Sequence, residues 1–222
     1  MELELKKECL DTYELGEPQT LTQEETAETI VPDYCPDIAR IISAEGVVCL
    51  HGGTEQDGVT GTVRVTVLYT PENESGVRAL EFAMPFSAQG EGLAGCAHVV
   101  VETEIELLES RMLNPRKIFT RCKLVTHLAG CRKVCLTISS DAETDPALLV
   151  EKRCCGQTVS LLRQVAEKDL TFSETMSLSL GREGAAELLH CRANGIVTET
   201  KAIGNKLIFK GVFWVSALYH TI

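Results

Sequence analysis

"GTVRVTVLYT" occupies residues 61–70, and it sets Val63, Val65, Val67 and Tyr69 on one side of the chain and Thr62, Arg64 and Thr66 on the other. Side chains alternate across an extended backbone, so this period of two predicts a strand with one buried and one wet face. The pattern recurs downstream. In "HVVVETEIELLE" (98–109) Val99, Val101, Thr103, Ile105 and Leu107 share a face, and in "KVCLTIS" (133–139) Val134, Leu136 and Ile138 do. Turn formers separate the runs: Asp57-Gly58, "PENESG" (71–76), "GEGLAG" (90–95) and Asn114-Pro115. Strands joined by short turns predict a mainly β protein of antiparallel, sandwich-like domains.

The 222 residues suffice for one large or two modest domains, and 44% hydrophobic residues supply ample core material. A net charge of −11 argues against gripping a phosphate backbone, which takes clustered Lys and Arg, so no nucleic-acid partner is expected. The opening "MELELKKECL" lacks the apolar core of a secretory signal, and no stretch approaches a membrane span. The expected compartment is the cytoplasm. There, ten cysteines are expected to be free and mostly buried thiols, with later oxidation open to a long-lived assembly. The close groups, Cys131 with Cys135 and Cys154 with Cys155, lack the paired spacing of a zinc site, so no metal and no cofactor are expected.

"ETIVPDYCPDIARIISAEG" (28–46) carries two Pro-Asp pairs. Pro36 and Asp37 suit the first turn of a helix, Ile38, Ile41 and Ile42 recur at helical spacing, and Gly46 can stop it. The stretch therefore predicts a strand ending near Val31 and then a short helix. The functional alternative is a binding loop presenting Asp33 and Asp37.

The chain also repeats itself. "TLTQEET" (20–26) resembles "DLTFSET" (169–175), and Gly46 and Val48 match Gly195 and Val197 at the same offset. Gly61, Val65, Leu68 and Tyr69 then match Gly211, Val215, Leu218 and Tyr219 with one residue more. A duplicated unit predicts two tandem homologous domains, 1–147 and 148–222, the second incomplete at its C-terminus. Its missing strands would follow in a longer protein or come from a partner by strand addition. In the second copy "SLGREGAAELLH" replaces the Pro-Asp pairs and predicts another short helix at 185–189. Trp214 stands where Arg64 stood, as a domain interface or a partner-binding aromatic.

Catalytic groupings do not emerge. The five histidines are scattered, and Glu102, Glu104 and Glu106 lie along the outer face of one strand, as a solvated face would. One basic stretch, "RMLNPRKIFTRCK" (111–123), admits two readings. Arg116, Lys117, Arg121 and Lys123 pair with the acidic strands, or they dock an acidic partner or an anionic membrane surface.

"LTQEETAETIVPDYCPDIARII", "GTVRVTVLY", "RMLNPRKI" and, in the second copy, "IGNKLIFKGV" together resemble the tandem SPOCS domains of SipL-like proteins from endospore-forming Clostridia. The resemblance implies a non-enzymatic structural adaptor in spore coat or envelope assembly, working through protein–protein contacts at the forespore surface in the mother-cell cytoplasm. Its implied partner is a coat or envelope morphogenetic protein such as the coat ATPase. That contact belongs largely to a C-terminal LysM domain, which these residues lack and a full-length form would carry downstream. Candidate partner-binding residues are Asp33, Pro36, Asp37, Arg40, Arg116, Lys117 and Trp214. The alternative function is a cell-wall or polysaccharide-binding β module.

Overall fold

The computed structural model describes residues 4–51, 58–143, 151, 153, 156, 158–166, 168, 170–175 and 186–221. Asp57, Cys154, Cys155, Asp169, Ala185 and the expected domain boundary at 147–148 lie outside them. The described elements are nine strands: β1 (Glu4–Leu15), β2 (Gln19–Ile30), β3 (Ile38–His51), β4 (Gly58–Pro71), β5 (Arg78–Gln89), β6 (His98–Asn114), β7 (Lys117–Glu143), β8 (Ala186–Ile203) and β9 (Lys206–Thr221). All pairings are antiparallel, so the protein is mainly β as the alternation predicts.

Two sheets face each other. One is built on the 27-residue β7, which pairs with β6 and, end to end, with β2 and β1. Because Leu15 lies opposite Cys131 and Gln19 opposite Leu128, β1 and β2 run in one direction along β7. At the break between them the Gly16 amide donates to the Gly130 carbonyl at 2.8 Å. The other sheet has the order β3-β4-β5. Val63, Val65, Val67 and Tyr69 of β4 and Leu80, Met84 and Phe86 of β5 pack against Ile118, Cys122 and Leu124 of β7, forming the main core. Val59, Ala88, Leu93 and Leu128 form a second core cluster.

Within this sandwich β7 alternates as a half-buried strand should, and its inward threonines have cross-strand partners. Thr120 meets the Ser110 hydroxyl at 2.7 Å, and Thr126 meets that of Thr103 at 3.1 Å, so neither buried hydroxyl is left unsatisfied. Beyond Cys131, β7 and β1 continue as an exposed ribbon. Leu136 and Ile138 alternate there as expected, but they are 43% and 37% exposed because, among the described residues, no second sheet covers them. Cys9 and Cys135 are joined by a disulfide across this ribbon, with Cα atoms 5.6 Å apart, against the expectation of free thiols. The register explains the meeting: Cys9 lies opposite Thr137 and Cys135 opposite Asp11, which makes the cysteines diagonal neighbours.

The short helix expected after Pro36 is a strand. Along β3 the register skips Ala39, between Ile38 opposite Pro71 and Arg40 opposite Thr70, and skips Ile42, between Ile41 opposite Tyr69 and Ser43 opposite Leu68. Each bulge inserts one residue and breaks the period of two. Apolar residues three apart thus serve a strand, in the conformation that β-branched isoleucine favours. Ile38 is fully buried and Ile41 packs on the core, while Ile42 is 47% exposed. The helix expected in the second copy fails likewise: Ala186 to Leu189 open β8, and its register skips Leu189.

The β8–β9 hairpin is a separate two-stranded sheet among the described residues. Its turn is Gly204-Asn205, as the sequence predicts, with Gly204 at φ +60°, where a side chain would be strained. The match aligns this hairpin with β3–β4, but the registers differ. Gly46 lies opposite Val65, whereas Gly195 lies opposite Phe213 and not Val215. A shift of two residues keeps every side chain on its original face.

Candidate functional site

The candidate residues fall into three places. Asp33, Pro36, Asp37 and Arg116 come together, Lys117 opens β7 and Arg40 lies near the start of β3 in the facing sheet, and Trp214 sits apart on β9.

The first group is a clasp. β6 and β7 are joined by Pro115 and Arg116, and the Asn114 side-chain oxygen accepts from the Arg116 amide at 2.9 Å, a local bond that closes the turn. Around this turn wraps the loop 31–37. Val31 donates its amide to the Arg116 carbonyl and Ile38 donates to that of Pro115, both at 2.9 Å. The guanidinium then reaches four acceptors. Nη1 donates to the Cys35 carbonyl at 2.8 Å and to Asp37 Oδ1 at 3.0 Å. Nη2 donates to the Val31 carbonyl at 2.8 Å and to Asp33 Oδ1 at 3.1 Å. A planar fork of fixed donors suits this task, which a lysine ammonium could not perform in the same way.

The two Pro-Asp pairs therefore shape a loop that encloses a cation. Asp37 also accepts through its carbonyl from the Glu72 amide at 2.9 Å, and the Pro36 carbonyl accepts from the Tyr69 hydroxyl at 3.3 Å. Burial, with the Cys35 thiol alongside, pushes the Tyr69 phenol up to about 12, so it stays a neutral donor. At the loop's apex Tyr34 is 87% exposed.

Of the rest of the basic stretch, Arg111 lies over the Phe119 ring at 4.9 Å and the other three cations are matched by nearby acids. Lys117 pairs with Glu28, Arg121 with Glu24 at 3.3 Å, and Lys123 with Glu106 at 2.9 Å. These partners lie on the flanking strands β2 and β6, so the internal-pairing alternative describes this surface. The Arg40 carbonyl accepts from the Thr70 hydroxyl at 3.3 Å, outside the clasp.

Trp214 is 66% exposed. Phe209 and Phe213, on the opposite face of β9, are 60% and 59% exposed, and Phe213 meets Phe172 with ring centroids 5.3 Å apart. On β9 the charges, Lys206 and Lys210, lie toward the turn, where Glu199 of β8 pairs with Lys201 and, at 3.2 Å, with Lys210. Those two hydrogen bonds, Lys201's first, hold the Glu199 carboxyl below its ordinary value. Residues 211–219, "GVFWVSALY", carry no charge.

A cleft of about 810 Å³ opens where β8 approaches the sandwich, between residues of β3, β4, β5 and β6. There His190 Nε2 lies 3.0 Å from Glu45 Oε2, a link between the hairpin and the sandwich. Ile105 and Leu108 of β6 line the same cleft. Among the described residues no three His, Cys, Asp or Glu side chains converge as a metal cage. No helix among them is long and apolar enough to cross a membrane.

No family model matches the chain, and neither a curated protein nor a solved structure matches it.

Sequence reasoning missed the role of Arg116. Its two carboxylate partners lie 83 and 79 positions away in the chain, and only the pairing of β2 with β7 brings the two segments together. The available signal was compositional: two acidic, proline-stiffened pairs in one loop and an arginine in an Asn-Pro turn.

Proposed function

We propose that this protein is a non-enzymatic structural adaptor that assembles with other proteins through its β surfaces, in the building of an endospore coat or envelope. The observation that carries the adaptor reading is that β9 exposes aromatics on both faces, Trp214 on one and Phe209 and Phe213 on the other, each more than half accessible. Large rigid aromatics of this kind dominate the energy of protein interfaces. The spore setting follows from the resemblance to tandem SPOCS domains. It implies a coat or envelope morphogenetic protein as partner and a place at the forespore surface in the mother cell. Asp33, Asp37, Arg116 and Lys117 take a supporting part, holding the sandwich that carries the surface, while Trp214 and Tyr34 make the contacts.

A fluorescent fusion followed through growth and sporulation in the host tests the reading. The expected outcome is a ring around the forespore. Diffuse signal throughout, with no change on sporulation, would remove the spore assignment. The exposed aromatics also suit stacking on sugar rings, the basis of a second reading as a polysaccharide-binding module. Retention on soluble cell-wall glycan that disappears in Trp214→Ala would favour it.

A further inference from the structure

We infer that the Cys9–Cys135 bond is a reversible redox clamp, which sets whether the outer parts of β1 (residues 4–11) and β7 (residues 135–143) stay paired. The device is independent of the adaptor reading and of the spore setting.

The ladder that this bond fastens has little else to hold it. β6 leaves β7 at His98, opposite Cys131, so beyond that point β7 pairs with β1 alone among the described residues. A two-stranded ribbon with no sheet against it is marginal in water. Residues 4–11 of β1 and 135–141 of β7 are all exposed. Glu4 lies opposite Glu143, which sets like charges against each other at the outer end, and the register shifts between Lys6 and Lys7. The side-chain ties are slight. Lys133 meets Asp11 at 3.4 Å, and the Ser140 hydroxyl donates to the Lys6 carbonyl at 3.4 Å, both in exposed positions that add little.

The inner end is held differently. Thr12 is the only buried residue of β1, and the Leu162 carbonyl accepts from its hydroxyl at 2.9 Å and from the Tyr13 amide at 2.7 Å. Tyr13 also meets the His98 ring, with centroids 6.3 Å apart. Loss of the clamp therefore opens the ribbon from its outer end as far as Asp11 and leaves residues 12–15 in place.

Both cysteines of the clamp are open to a reductant. Cys9 and Cys135 lie in the exposed part of the ribbon, whereas Cys122 and Cys131 are fully buried and shielded from exchange. A thiolate of a dithiol attacks one sulfur of the bond, a mixed disulfide forms, and the other cysteine leaves as a thiolate that takes up a proton. The second thiol of the reductant then closes its own disulfide, and the remaining cysteine is released with the second proton. Two electrons and two protons pass from the dithiol to the protein. With the bond intact the two cysteines stay neighbours even when the ladder breaks, so opening gains little chain freedom; once it is cut the two segments separate. In a thiol-rich compartment the ribbon is thus open, and it closes where that supply of thiols is lost.

The test uses the whole chain, with amide hydrogen exchange followed by NMR before and after dithiothreitol. Because the Tyr13 amide points outward to Leu162, alternation directs the Glu8 and Leu10 amides toward β7, opposite Ile138 and Leu136. The amides of these two pairs should exchange about tenfold or more faster after reduction, while Tyr13 and residues 63–69 of β4 keep their rates. Oxidised glutathione, added once the dithiothreitol is removed, should restore the slow rates. The Cys9→Ser/Cys135→Ser double variant should show the fast pattern with or without reductant, and Cys191→Ser should respond as the parent chain does. Unchanged exchange on reduction would overturn the inference. So would Cys9 and Cys135 found unlinked by mass spectrometry after treatment with oxidised glutathione. Acceleration that reaches Tyr13 and β4 to the same degree would show that the bond stabilises the whole fold, and would overturn the local clamp too.

Discussion

β3–β4 and β8–β9 are antiparallel hairpins that share glycine, valine, leucine and tyrosine at matched positions, but their surroundings are opposite. Val65 and Tyr69 are 1% and 0% exposed, whereas Val215 and Tyr219 are each 40% exposed. Identical residues thus end in a core or in water according to what lies against them. For β4 that is β5 along one edge and the inward face of β7. Alternation specifies a face; a neighbouring sheet decides whether that face becomes a core.

The sharpest way to break the comparison is to truncate the same residue in both hairpins. Tyr69→Ala should lower stability by about 3–5 kcal/mol, as large-to-small changes of buried aromatics do. Tyr219→Ala should stay within about 0.5 kcal/mol, as exposed substitutions do. Urea unfolding followed by circular dichroism measures both, and equal losses would mean that the second hairpin is covered after all.

A smaller effect is expected at the clasp, whose two Pro-Asp pairs have no counterpart in the stretch 179–190 of the second copy. Arg116→Ala removes four hydrogen bonds from a side chain that is 34% exposed, so a loss of about 1.5–3 kcal/mol is expected. Arg116→Lys should recover only part of it. An unchanged urea midpoint in Arg116→Ala would show that the loop 31–37 is held by its backbone bonds alone.

The third contrast concerns reactivity and leaves stability unchanged. Burial, aided by Glu25, pushes the Cys122 thiol up to about 11, while Cys191 on β8 is exposed. Near pH 8 the Cys122 thiol therefore stays protonated in the folded protein and returns to ordinary acidity only on unfolding. Timed labelling with a maleimide, read by mass spectrometry, should modify Cys191 early and Cys122 only after urea is added. Early modification of Cys122 would show that the β4–β7 core opens readily.

These contrasts also mark how far the sequence could be read. The strand at 61–70 was legible because its two faces differ in composition along every step. The Asn114-Pro115 and Gly204-Asn205 turns were legible because turn residues act locally. β3 was misread because two bulges gave its isoleucines helical spacing, and a bulge is visible only once the partner strand is known. The clasp was out of reach for the same reason: Asp33 and Asp37 appeared beside prolines that suit a helix start, and nothing local names an arginine some 80 positions on. Trp214 was read as an aromatic on a sheet face, but its 66% exposure depends on what packs against β9, a tertiary fact.

The end-to-end placement of β2 and β1 along β7 has a mechanical consequence. At 27 residues β7 is about 90 Å long, and the edge beside it is fastened by Arg116 near one end and by the Cys9–Cys135 bond toward the other. Hydrogen bonds across antiparallel strands lie perpendicular to the chain, so tension along β7 loads the whole ladder in shear. Such a ladder resists as a set, where a hairpin peeled from its open end yields bond by bond. The long strand is thus a tensile spine, and the β8–β9 hairpin is built on a different mechanical plan.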